Sequence, residues 1–166
     1  MRVIKLGIIS LIVFGVIVYL FSLFIPSHVR ISRAMTIARS KADISSYLAD
    51  MRTWSDWNQM IISQDSNSGN FGKKLYTSPR LKVEIVNASE DSVITNWKYR
   101  SSDPINSGFY LVQSLSDTTV AQWYFDFHLD WYPWEKFGSI IFDQQLGPPM
   151  EKSLLDLKNT LENQPR

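Results

Sequence analysis

The chain has 166 residues, with 17 Lys and Arg against 16 Asp and Glu, two His and no Cys. That length is enough for one domain with a real core. The near-neutral charge, with no basic stripe, argues against a nucleic-acid partner, and the lack of cysteine excludes disulfides, thiol nucleophiles and zinc-thiolate sites.

The chain is not uniform. Leu6 to Ile25 is a run of 20 uncharged residues whose polar members are Ser10, Tyr19 and Ser22. As a helix it would span roughly 30 Å, the thickness of a bilayer core, and it lacks the polar stripe of a helix packed on a soluble domain. A cleaved signal peptide is the alternative. The run is long for one, and "SLFIPSHV" offers no small-x-small cleavage site. The reading is a single-pass anchor in residues 1–26, with the membrane helix at about 6–25 and the domain in 27–166. Arg2 and Lys5 precede the run, while Arg30, Arg33 and Arg39 follow it. Flanking charge therefore leaves the orientation open, and the basic start fits a domain-out arrangement slightly better.

Pro26 and Ser27 end the anchor, and Val29 to Ala38 reads as a strand. Ser40 is a helix N-cap with Asp43 in the first turn, and Ile44, Tyr47, Leu48 and Met51 recur at helical spacing. A second short helix is expected to hold Trp54, Trp57 and Ile61. Ser63 to Gly72 is a loop by composition. The period then changes to two. Leu81, Val83 and Ile85 form one strand, and Val93, Thr95, Trp97 and Tyr99 a second. Phe109 to Leu115 forms a third, and Ala121 to Trp131 lies in a fourth. "SEDS", "SSDPINSG" and "SDTT" are the turns between them.

Gly147-Pro148-Pro149 breaks the chain, and prolines suit a first helical turn. Met150, Leu154, Leu157 and Leu161 then share one face, widened by Leu155, of a helix running to about Glu162. Strands with segregated helices mean an α+β fold. An antiparallel meander followed by a long helix suggests a curved sheet wrapped around that helix.

The sequence resembles the SRPBCC superfamily, the START-like helix-grip domains that include the polyketide cyclase/dehydrase and lipid-transport families. The resemblance covers about Val29 to Glu162. It rests on Met35-Thr36-Ile37-Ala38 in the first strand, on Asp50, Trp54 and Trp57 within "LADMRTWSDWN", and on "GPPMEKSLLDLKNTLE" at the end. It implies the helix-grip fold and a hydrophobic-ligand cavity between the sheet and the C-terminal helix. Bacterial members also carry N-terminal anchors, which implies the cytoplasmic membrane. The superfamily holds binders, transporters and enzymes, and fold does not select among them.

Strand alternation assigns the odd-numbered Trp123, Phe125, Phe127, Leu129 and Trp131 to one face and Asp126, His128 and Asp130 to the other. The polar trio is expected to face water, because neighbours about 7 Å apart cannot all ligate one metal on a straight strand. The apolar set is either core or pocket lining. With the resemblance, the cavity candidates are Trp97, Tyr99, Trp123, Phe125, Phe127, Trp54, Trp57 and Leu154. Trp134, Phe137 and Ile141 can share a face of a helix after Pro133, with Glu135, Lys136 and Ser139 off it. That segment is either a lid or core element, the favoured reading, or a membrane-interface segment.

No nucleophile elbow, phosphate loop or metal motif is present. The expectation is a membrane-tethered binding domain for a hydrophobic small molecule or lipid, with no cofactor and no metal. A cyclase- or hydrolase-like enzyme using the same cavity, with one buried polar group of shifted pKa, is the rival. A filled-core interaction protein is the third reading.

Overall fold

The computed structural model describes residues 2–65, 68–100, 102–115 and 117–163. Helix α1 (Arg2–Ser22) begins four residues before the expected span and ends three before its limit. The chain tightens there. Leu23, Phe24 and Ile25 donate their N–H groups to carbonyls three residues back, which closes the helix with narrow turns. Val3–Ser22 is long and apolar enough to cross a membrane; its apolar side chains are largely exposed, and it meets the domain at α4.

Strand β1 (His28–Ile37) follows after five residues. Ser40 caps α2 (Lys41–Leu48) by accepting the Asp43 N–H, as expected. The helix stops at Leu48 rather than running through Met51, because Asp50 opens a separate 3-10 helix, Met51–Asp56, by accepting the Arg52 N–H. Trp54 lies in this 3-10 helix, Trp57 caps it, and Ile61 lies in α3 (Gln59–Asp65). The expected single helix is thus two pieces. The expected loop at 63–72 includes regular structure at both ends, since α3 reaches Asp65 and β2 (Asn70–Phe71) already pairs with β3 (Leu75–Thr77), while 66 and 67 lie outside the described residues.

Then come β4 (Leu81–Ala88), β5 (Ser92–Tyr99), β6 (Ile105–Leu115) and β7 (Thr118–His128). The expected turn at "SSDPINSG" gives way early, and Ile105 to Gly108 already belong to β6. All seven strands form one antiparallel sheet in the order β1-β7-β6-β5-β4-β3-β2. Register shifts at Ile85/Asn87 and Gln113/Leu115 insert extra residues, which bend strands and strengthen twist.

A short helix α4 (Pro133–Ser139) precedes α5 (Phe142–Asn163). Helix α5 passes straight through Pro148 and Pro149 instead of starting there. The prolines remove the N–H groups that Gln144 and Gln145 would otherwise bond. Two things hold the first half in line. Phe142 and Leu146 pack on the core. Arg33 of β1 donates to Asp143 and Glu151, one on each side of the prolines, at 2.9 and 2.6 Å. Met150, Leu154, Leu157 and Leu161 are buried as expected, whereas Leu155 is exposed. The position beside Leu154 is taken by Ser153, whose buried hydroxyl accepts the Gln59 N–H and donates to the Pro149 carbonyl. The result is a sheet with α5, α2 and α3 against one face and a single apolar core between them.

Candidate functional site

Four of the six tryptophans, Trp54, Trp57, Trp97 and Trp123, are fully buried, together with Phe109 and Phe125. The period-two pattern of β5, β6 and β7 points their rings at α5 and the 3-10 helix. Cross-strand pairing sets Phe109 opposite Trp123, and their rings stack at 5.1 Å. Trp57 meets Trp54, Phe109 and Trp123 at 5.1, 5.9 and 6.1 Å, mostly edge-on. Trp97 meets Phe125 at 5.1 Å and Trp123 at 6.2 Å. These separations are ordinary for aromatic pairs, so the rings contact one another across the interior.

The candidates Trp54, Trp57, Trp97, Trp123, Phe125 and Leu154 are therefore brought together in one buried cluster. Tyr99 and Phe127 are partly exposed at its margins. Phe127 is covered by Phe142 at 4.8 Å, so the first residue of α5 closes that end. Trp131 does not join the row. The strand stops at His128, alternation ends with it, and Trp131 is exposed.

Hydrogen bonding separates the four indoles. Trp54 Nε1 donates to the Leu48 carbonyl, Trp97 Nε1 to Thr95 Oγ1, and Trp123 Nε1 to Ser107 Oγ, at 3.0 to 3.1 Å. Trp57 Nε1 has no hydrogen-bond partner among the described residues, and neither has the Nδ2 group of its neighbour Asn58. Both residues are fully buried. A buried donor left unpaired costs about 1–3 kcal/mol. Asn58 carries no signal in the sequence that marks it; its burial follows from the tertiary placement of the 3-10 helix against α5.

Among the described residues, the buried polar side chains around this interior include Thr95, Ser107 and Thr119 from the sheet, Asn58 after the 3-10 helix and Ser153 from α5, with no carboxylate and no imidazole. Asp126 and His128 are on the outer face of β7, as expected, and Asp130 is exposed beyond the strand's end. Asp126 accepts two hydrogen bonds from Arg30 at 2.6 Å, and that guanidinium lies 4.5 Å over the Tyr124 ring. The Asp126 hydrogen bond raises the Arg30 pKa, against the opposing effect of desolvation. Tyr124 stacks on Tyr110 at 4.9 Å and covers Gly108, where a Cβ would strike the Val93 carbonyl and the Tyr124 hydroxyl. Desolvation pushes the Tyr124 hydroxyl up to about 12.

His128 is the register partner of His28, and their Nδ1 atoms are 3.3 Å apart. With Arg30, Asn106, Asp126 and Phe127 they line an open groove of about 540 Å³ at the end of the sheet nearest α1. A hundred residues separate the two histidines, and only the strand register brings them together. Among the described residues, no group of three or more His, Cys, Asp or Glu side chains is placed to hold a metal ion.

Helix α4 is inverted relative to the expected lid. Its apolar residues Trp134 and Phe137 are exposed, as is Ile141 just beyond its end, and Lys136 and Ser139 are buried. The main cause is a contact distant in sequence: Lys136 Nζ donates to the Ile25 carbonyl at 3.2 Å, while Ser139 Oγ donates to the Lys136 carbonyl at 2.7 Å. Those bonds turn the polar side inward.

No protein-family model and no curated protein matches the chain. Solved structures do. A START superfamily protein from Mycobacterium smegmatis superposes with a TM-score of 0.54 at 14% identity, covering 80% of this chain and 98% of the other. The fold is START-like. CalU16 from Micromonospora echinospora superposes with a TM-score of 0.53 at 10% identity, covering 84% of this chain and 85% of its own. DynU16, from the dynemicin biosynthetic locus, does so at 0.53 and 12% identity, covering 81% of this chain and 47% of DynU16. In the START-like domain described here, the aromatic cluster occupies the space between sheet and C-terminal helix. At these identities the likeness concerns the fold.

Proposed function

We propose that this START-like domain binds a hydrophobic small molecule or lipid carrying a hydrogen-bond acceptor, and that α1 holds it at a membrane. The observation that carries the reading is the pair of unpaired donors, Trp57 Nε1 and Asn58 Nδ2, within an otherwise satisfied aromatic interior. A carbonyl or hydroxyl oxygen on an apolar body supplies the missing partner, while the rings bury the body at about 25 cal/mol per Å². The interior lacks a buried acid or base among the described residues, which favours binding over catalysis.

The close ring packing favours a second reading, a filled core with no ligand. Native mass spectrometry of the full chain, released from membranes into a volatile detergent, separates them. Binding predicts an added mass, lost on denaturation, whose occupancy falls in Trp57→Phe and Asn58→Ala. A clean apo mass, even after incubation with fatty acids and a polar lipid mixture, leaves the filled core standing.

A further inference from the structure

We propose that α4 and the turn before it lie in the lipid headgroup layer of the bilayer that α1 crosses, as a second membrane contact. This rests on reading α1 as a membrane span. Trp131, Trp134 and Ile140 are 65, 68 and 64% exposed, and Phe137 and Ile141 are exposed beside them. Lys136 and Ser139 are only 7 and 6% exposed. A helix on a water-facing surface arranges these residues the other way round. The arrangement suits a neighbour of low polarity.

The neighbour is identified by continuity. Helix α4 packs against α1, and the Lys136 ammonium is bound to the carbonyl of Ile25, three residues beyond the end of α1. The apolar face of α4 thus begins where the apolar surface of α1 ends. Its composition fits that depth. Trp131, Tyr132 and Trp134 stack in sequence at 4.6 and 4.7 Å, and Trp and Tyr concentrate at membrane interfaces because their rings are apolar with a polar edge. Glu135, the other charged residue of α4, is folded back to accept the Asp130 N–H at 2.9 Å. With one acid and one base in α4, contact is driven by apolar burial and needs no anionic lipid.

The test uses the full chain in phosphatidylcholine vesicles, with and without bromine on the acyl carbons near the headgroup. Bromine quenches indoles that touch it. Wild type is expected to lose tryptophan emission in the brominated vesicles, and Trp131→Phe/Trp134→Phe to lose most of that response, since the other four indoles are buried. Both positions are exposed, so the substitutions remove no core packing. An equal response in wild type and variant, with the protein retained after a carbonate wash, places α4 outside the lipid and overturns the proposal while leaving the anchor intact. Emission insensitive to both bromolipid and aqueous iodide means that protein, such as a second copy, covers the face, which also overturns it. Release of the protein by the carbonate wash overturns the anchor reading itself, and this proposal with it.

Discussion

Arg33 sits over the weakest point of α5. Its guanidinium lies on Gly147, where any Cβ would overlap it, and it reaches carboxylates on both sides of the proline pair. These two hydrogen bonds are the main reason its pKa is raised and that of Asp143 lowered. Both carboxylates are well exposed, so solvent screening weakens the network. Gly147→Ala gains up to about 1 kcal/mol in helix propensity but displaces the guanidinium. The substitution is therefore expected to be worse in wild type than in Arg33→Ala by about 1 kcal/mol, as read from denaturant midpoints in a double-mutant cycle. Additivity would show that Arg33 does not bridge the break. Nothing in the sequence pointed to this residue, since its partners lie 110 and 118 positions away. The same holds for Asn58 and for the His28–His128 pair. Contacts set by strand register and helix docking leave no local periodicity to read.

Elements were legible where one face is buried and one is wet. Leu81-Val83-Ile85 and Val93-Thr95-Trp97 alternate cleanly and lie in β4 and β5 as read, and Met150-Leu154-Leu157-Leu161 marks the buried face of α5. The pattern failed where a neighbour overrode local chemistry. Pro148 and Pro149 signal a break, yet Arg33 and the packing of Phe142 carry the helix across it. Lys136 signals an exposed face, yet the Ile25 carbonyl captures it. The 3-10 helix that positions Trp54 and Trp57 is a third case, because it depends on Asp50 at its start. The hydrogen bond from Arg52 holds the Asp50 carboxyl at about 2, below its ordinary 3.8. A depressed acid stabilises the fold above its unfolded pKa and stops doing so as pH falls through the folded value. Wild type is expected to be more stable than Asp50→Asn by a constant margin above about pH 5, a margin that closes as pH falls from about 4 to 2. Asn remains a good N-cap, so the comparison isolates the charge. A margin unchanged down to acid pH, followed by circular dichroism, would rule the ion pair out as its source.

At the scale of the whole molecule, an apolar helix and an aromatic-cored domain meet with almost nothing between them. Retention of the full chain in membranes through alkaline carbonate and high salt is the expected outcome, since transfer of α1 is driven by apolar burial rather than charge. Extraction by either wash would return α1 to the status of a leader or a packed helix. The START-like likeness extends over the domain and stops short of function, as a fold shared at 10 to 14% identity does.

The five residues between Ser22 and His28 have a further consequence. Fully extended they reach roughly 17 Å. With α1 in a bilayer, the start of β1 stays within that distance of the membrane. On the proposed reading as a tethered lipid-binding domain, the protein could not ferry cargo from one membrane to another, as an untethered carrier does. On that reading, its ligand would come from its own leaflet or from solution beside it. Any onward delivery then requires the recipient to come to the membrane.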